Sequence, residues 1–357
     1  MKSALFAVGA ALAFSEGVAA WGDVGHEAVG YVAMEFLATK AAAFVKKTVP
    51  SSDSYSLGPI ATWADTVKYE TAYEWSQPWH FIDAMGEWAA RAAGLGWAGL
   101  GWADGGGLQM IRLVARAPSS SRATAAAPGA YVRIYHGAHL IRDINSRDLA
   151  TAIANYTSRL TDSSLSSTQI QQALYFITHF IGDIGQPLHV ENYEYGGNDI
   201  DTVCAGESTE LHATWDTGMI VQMVGATYGG STTAWADALV ADIKTGTYKA
   251  DAAGWLSCSS TTEPLSRRRS VEDDIGSVLA AREAAATIKP LACPMVWAQE
   301  SNAYDCSNVF DYTKGDDLCT GAYFDASIPI INQQIAKQGY RLAAWLNVIF
   351  DGAVSLP

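Results

Sequence analysis

Two pairs of residues, His179 and Asp183 in HFIGD and His212 and Asp216 in HATWD, repeat the pattern H-x-x-x-D within one short stretch. Residues i and i+4 share one face of an α-helix. The spacing therefore predicts two helices, each gripping a single cation with a paired imidazole and carboxylate. His189 stands between the pairs, so three of the chain's seven histidines lie between His179 and Asp216. Imidazole nitrogen with carboxylate oxygen is a donor set that suits zinc, and the clustering points to a polynuclear site.

The rest of the pattern is also helical. Apolar residues at Val29, Val32, Ala33 and Phe36 predict a helix over 27–36, and Leu174, Ile177, Phe180 and Ile181 predict one over 164–184. Ser163 or Ser164 would cap the latter and Pro187 would end it. Further helices are expected over 210–224 and 328–350, with one weak strand candidate at 200–203, so the fold class is all-α. Trp63 and Trp215 read as packing beside candidate ligands, and Gly196-Gly197 as a turn.

The first residues, MKSALFAVGAALAF, place Lys2 before a short apolar run, and Val18-Ala19-Ala20 fits a small-residue cleavage site. Residues 1–20 are read as a signal peptide, leaving a mature domain over 21–357 that begins at Trp21. The protein is expected to be secreted and not membrane-bound, since this apolar run is too short to span a bilayer. Five cysteines, Cys204, Cys258, Cys293, Cys306 and Cys319, suit an oxidising compartment, with pairing left open and one unpaired by the odd count. Asn155-Tyr156-Thr157 is a glycosylation sequon. The net charge of −14 argues against nonspecific duplex binding through a basic surface, but bound cations can reverse the field of one cleft.

Two segments break the periodicity. Residues 85–147 are rich in Gly, Ala and Ser, lack Lys and Cys, and hold seven of the 13 arginines; 266–289 carries Arg267-Arg268-Arg269 and a run of alanines. Long structureless loops are uncommon inside a compact domain. These segments read either as translated non-coding sequence or as genuine flexible insertions. His136 and His139 fall in the first and receive no metal role.

Upstream stand WGDVGH at the expected mature start, then Trp63-Ala64-Asp65, then Trp79-His80-Phe81-Ile82-Asp83. A free α-amine with its carbonyl oxygen chelates a metal, with His26 near it, and His80 with Asp65 would complete another site. In order, WGDVGH, WAD, HFIDA, HFIGDIGQPLH, GGN and LHATWD resemble the zinc-dependent single-strand-specific nucleases of fungi and plants, a family in the phospholipase C/nuclease superfamily. The resemblance covers roughly 21–84, 148–265 and 290–352.

That resemblance implies a single mainly helical domain with a trinuclear zinc cleft. Asp65, His80, His179 and Asp183 would bind one Zn²⁺, and His189, His212 and Asp216 a second. The Trp21 amine and carbonyl, His26 and Asp183 would bind a third, with Asp183 bridging. Zinc ions sharing a carboxylate about 3.5–4 Å apart hold a hydroxide that attacks phosphorus in line. Asp65 and Asp183 are thereby catalytic, and products would carry a 5′-phosphate. Single-stranded DNA and RNA are the implied substrates, with 3′-nucleotidase activity on 3′-mononucleotides, and the enzyme is expected to be a monomer without a stable protein partner. Phe81 would stack on a base, Asp83 would accept from base nitrogens, and Tyr195, where the family often carries a small apolar residue, would offer a second stacking face. Lys68 lies where fungal members can carry an arginine near the scissile phosphate, and reads either as that clamp or as a solvated surface lysine. The cysteines the family usually places after HFIDA are absent. Two other readings compete: a phospholipase C of the same fold, whose last ligand tends to be Glu rather than Asp216, and a zinc-stabilised but inactive secreted protein.

Overall fold

The structure, a computed structural model, describes residues 21–83, 148–256 and 292–356. The segment read above as a signal peptide and the whole of both atypical stretches, with His136 and His139, lie outside these residues, as does Cys258. Among the described residues the fold is all-α with one small hairpin. The principal helices are α1 (Asp23–Met34), α2 (Thr39–Thr48), α3 (Leu57–Ile60), α4 (Trp63–Val67), α5 (Leu149–Arg159), α6 (Ser167–Asp183), α7 (Met219–Tyr228), α8 (Thr232–Lys244), α9 (Ala292–Tyr304) and α10 (Gly321–Asp351).

The long helix α10 is the spine. Its second half, from Ile335 through Asn347, is buried, and α1, α2, α6 and α8 pack on it. Close approach is set by glycine. A Cβ at Gly339 would meet Val32 Cβ at 2.5 Å, and one at Gly30 would meet the Leu57 carbonyl oxygen at 2.5 Å. These two contacts seat α1 between α10 and α3, which brings the first turn of α1 to the centre of the molecule. Helix α10 begins at Gly321, before the expected start at residue 328, and Pro329 inside it costs one backbone hydrogen bond but does not end it.

Helix α6 begins at Ser167, later than expected. Ser166, not Ser163 or Ser164, is its cap: the Ser166 hydroxyl accepts from Gln169 N, and the Gln169 side chain accepts from Ser166 N. From Ala173 to Asp183 every residue is buried, so the helix carries its last turn into the interior. The chain leaves helical hydrogen bonding at Asp183, and Pro187 opens a 3₁₀ turn over Pro187–Val190 instead of closing α6.

The weak strand signal marks a real hairpin. Asp201–Cys204 pairs antiparallel with Glu207–Glu210 across Ala205-Gly206, both left-handed at φ 52° and 84°. Cys204 forms a disulfide with Cys319, and Cys293 is disulfide-bonded as well, while Cys306 is exposed. The stretch read as one helix over 210–224 divides into the end of this strand, a helical turn over Leu211–Ala213, a π-helical turn over Thr214–Gly218, and α7.

Gly30→Ala is expected to destabilise the protein by about 1–3 kcal/mol, because the added methyl meets backbone atoms of α3 that cannot swing away. Denaturant unfolding of the metal-free protein measures this; an unchanged midpoint would show that α1 and α3 are not locked by this contact.

Candidate metal centre and its surroundings

Eight side chains predicted as ligands arrive from separate elements. His26 stands in the first turn of α1, Asp65 on α4, His80 at the end of a 3₁₀ turn over Glu74–His80, and His179 and Asp183 on the last turn of α6. His189 comes from the 3₁₀ turn after α6, His212 from the turn over Leu211–Ala213, and Asp216 from the π-helical turn. All eight are buried. Their donor atoms gather into three groups: His26, His179 and Asp183; Asp65, His80 and His179; and His189, His212 and Asp216.

The first two groups merge. Asp183 lies between them, Oδ1 at 3.1 Å from His26 Nε2 and Oδ2 at 3.1 Å from His80 Nδ1. His179 Nε2 is 3.3 Å from Asp183 Oδ1 and 3.4 Å from Asp65 Oδ1. The His26 ring stacks on His179 at 3.8 Å, and Gly182 leaves room for it, since a Cβ there would meet His26 Nδ1 at 2.8 Å. Trp21 is fully buried, and Gly22 N donates to the Asp216 carbonyl at 2.7 Å. The start of the described chain is therefore tied to the third group.

Backbone carbonyls orient three of the rings. Nδ1 of His179 donates to the Ala61 oxygen (2.6 Å), Nδ1 of His189 to the His80 oxygen (2.7 Å) and Nδ1 of His212 to the Gly196 oxygen (2.7 Å). Each bond turns the opposite nitrogen, Nε2, toward the carboxylates, as metal-binding histidines require. The glycine pair read as a simple turn thus holds a ring of the third group. His80 joins two groups, its side chain in one and its carbonyl anchoring the other.

The donor set fits cations. His26 Nδ1 and Nε2, both oxygens of Asp183, and Asp216 Oδ2 are buried without hydrogen-bond partners, a costly state unless a proton or metal ion stands between them. Burial lowers His26, His80 and His189, keeping them neutral imidazoles, the form that binds a metal. Burial pushes the Asp183 carboxyl well up, and the nearby Asp65 charge adds to this. Burial opposes ionisation of Asp65 and Asp216 too, but His179 and Lys68 hold Asp65 low, and His212 holds Asp216 low. His179 and His212 are raised: burial works against it, but Asp183 and Asp216 respectively outweigh it. The carbonyl end of α6 also favours positive charge beside its last turn.

Lys68 is not a solvated surface lysine. It is buried, and its Nζ lies 2.6 Å from Asp65 Oδ1. Burial would depress it, but the Asp65 carboxylate raises it, so the ammonium persists. Of the two tryptophans read as packing, Trp215 is fully buried and donates to the Tyr323 hydroxyl at 2.8 Å, and Trp63 meets Tyr73, Tyr175 and Phe176 edge-on.

Exposed aromatics flank the centre. Phe81 is extended, and the next residue is pinned by Ile82 N donating to the His189 carbonyl at 2.8 Å; Ile82 is buried while Phe81 and Asp83 are exposed. Tyr195 is 77% exposed and sits in a left-handed turn in which Glu194, Tyr195, Gly196 and Gly197 all have positive φ. Gly196 is required there: a Cβ would meet the Leu188 carbonyl oxygen at 2.5 Å. Tyr195 is an aromatic residue held where glycine is preferred, with its ring mostly exposed. The sequon lies on α5, where Asn155 is half-buried and the Thr157 hydroxyl, itself buried, accepts from Trp345 Nε1 at 2.8 Å. No helix among the described residues is long and apolar enough to cross a membrane.

A family model described as S1/P1 Nuclease matches residues 21–99 and 131–351, running through 266–289 and leaving 100–130 unmatched. The chain is 34% identical over 345 residues to Nuclease S1 of Aspergillus oryzae, covering 95% of each chain. It is 32% identical over 340 residues to Nuclease P1 of Penicillium citrinum, covering 94% of this chain and all of that one. It is 28% identical over 346 residues to Endonuclease 4 of Arabidopsis thaliana, covering 94% and 91%.

Replacing Tyr195 by Gly is expected to stabilise the fold by about 1 kcal/mol, because left-handed strain is relieved and little packing is lost. Equilibrium unfolding checks this; a loss of stability would show that the turn needs the tyrosine ring.

Proposed function

The chain belongs to the S1/P1 nuclease family, and from that footing we propose a secreted endonuclease that uses three Zn²⁺ ions to hydrolyse single-stranded DNA and RNA to 5′-phosphorylated products. Activity on 3′-mononucleotides belongs to the same reading. The observation that carries it is the convergence of three buried histidine–aspartate groups, with unpartnered donor atoms, beneath an exposed strip bearing Phe81 and Asp83.

Asp65, His80, His179 and Asp183 would hold one ion, His189, His212 and Asp216 another, and the Trp21 amine and carbonyl with His26 and Asp183 the third. When bound, zinc supplies Lewis acidity toward phosphate oxygens and acidifies water at neutral pH. The protein's own part is orientation and charge. The two oxygens of Asp183 face different histidines, His26 and His80, an arrangement suited to bridging. Lys68 keeps its charge beside Asp65, where it can meet a phosphate oxygen as a point charge without a bidentate fork. Phe81 would stack on an unpaired base and Asp83 would accept from its nitrogens, with Tyr195 closing on the other face. Stacking of this kind contributes about 1–3 kcal/mol per base and tolerates any sequence. Bases paired in a duplex do not present these faces, which supports the preference for single strands.

Signal removal before Trp21 would create the amine that completes the third ion's site. Any glycan on Asn155 would have to be added before α5 packs, since Thr157 is committed to Trp345. Residues 85–147 and 266–289 are read as retained non-coding sequence or as insertions, and an intact mass of the secreted protein decides between them.

Chelation should abolish cleavage of single strands and zinc should restore it, with 5′-mononucleotides released and no phosphocholine from lipid. Asp183→Asn should reduce turnover by several orders of magnitude through loss of the bridge. Persistent cleavage in metal-free protein, or near-normal turnover in that variant, would refute the mechanism. Phosphocholine release would favour a phospholipase, and inactivity of zinc-loaded, processed protein would favour a structural role for the metal. A form retaining the residues before Trp21 should be strongly impaired; equal activity would remove Trp21 from the ligand set.

A further inference from the structure

We propose that Gln186 is a positioning residue for the His189–His212–Asp216 group, fixing Asp216 so that it meets its cation through Oδ2 alone. This rests on the metal reading of that group and names a residue outside the ligand set. Gln186 is fully buried at the start of the 3₁₀ turn that carries His189. Its Oε1 accepts from Leu188 N at 2.5 Å, and its Nε2 donates to Asp216 Oδ1 at 2.5 Å. A backbone N–H can only donate, so the amide has one permitted orientation, with its NH₂ group toward Asp216. Oδ1 is thereby occupied. Oδ2 remains, buried and without a hydrogen-bond partner, 3.0 Å from His212 Nε2 and 3.8 Å from His189 Nε2.

The amide suits this task because it is neutral. It orients the carboxylate without adding charge to a group whose single acid is Asp216. A glutamate of the same shape could still accept from Leu188 N, but it would face Asp216 with a second carboxylate and no proton to donate. The His189 turn and the Asp216 turn would then be pushed apart. Partners of this kind around a ligand change metal affinity by 10–100-fold. Asp65 and Asp183 have no such amide neighbour among their described hydrogen bonds, so the effect should be confined to one ion of three.

The test uses the full, processed protein and its Gln186→Glu and Gln186→Met variants. Zinc content is measured by elemental analysis across a chelator titration, beside the unfolding midpoint of each metal-free protein. One equivalent of zinc should leave the Glu variant at about 10–100-fold lower chelator concentration than in the wild type, with two retained. The Met variant, which removes the hydrogen bond without adding charge, should show a smaller shift of the same single equivalent. A merely structural role would lower the metal-free midpoint and release all three ions together. That outcome, or release profiles unchanged in both variants, would overturn the proposal. Wild-type protein that holds no zinc would instead bring down the functional reading and this inference with it.

Discussion

Three carboxylates, Asp65, Asp183 and Asp216, are buried in the middle of this helical domain within reach of five histidines. Removing ionised carboxylates from water costs several kcal/mol each unless opposite charge and hydrogen bonds compensate. Lys68 answers Asp65, and Gln186 answers one oxygen of Asp216, but both oxygens of Asp183 remain without hydrogen bonds. The arrangement of the fold follows from the need to hold these groups in place while leaving atoms of them available. Burial keeps three of the histidines neutral and raises Asp183, so protons and metal ions compete for the same positions.

The scaffold meets that demand with rigid helices and backbone carbonyls. Helix α10 supplies the buried wall on which α1 and α6 lie, and glycines at Gly30, Gly182 and Gly339 let helices or rings approach where any side chain would collide. The carbonyls of Ala61, His80 and Gly196 select the ring nitrogens that face inward. Because His80 uses its ring in one group and its carbonyl to orient His189 in another, movement of the 80–82 strip would disturb both groups. The same strip carries Phe81 outward, so the base-stacking candidate and the metal-binding candidates share one piece of backbone.

Much of this was legible in the chain itself. The i, i+4 pairs placed His179 with Asp183 and His212 with Asp216, and WAD, HFIDA and WGDVGH supplied the distant partners. The all-α class followed from apolar periodicity. Less legible were features fixed by tertiary contact. The π-helical turn at Thr214–Gly218 interrupts what reads as continuous helix, because periodicity cannot register one extra residue in a turn. The cap of α6 is Ser166, since Ser163, Ser164, Ser166 and Ser167 offer similar local chemistry and only Gln169, three residues on, distinguishes one of them. Lys68 read as a solvated surface lysine in the sequence, because its burial beside Asp65 comes from the tertiary fold. The left-handed turn at Tyr195 had a glycine pair as its only trace, and Gln186 sat in plain view inside GQPLH with nothing local to reveal the carboxylate it meets.

The buried histidines and aspartates are proposed to form three zinc sites, two of them sharing Asp183. Diffraction from crystals of the processed protein, collected on both sides of the zinc absorption edge, addresses this most directly. Three anomalous peaks are expected, one within each histidine–aspartate group, with Asp183 between two of them and the Trp21 amine beside one. Peaks absent from these groups, or a single peak with Asp183 bound to protein hydrogen-bond donors instead, would contradict that proposal.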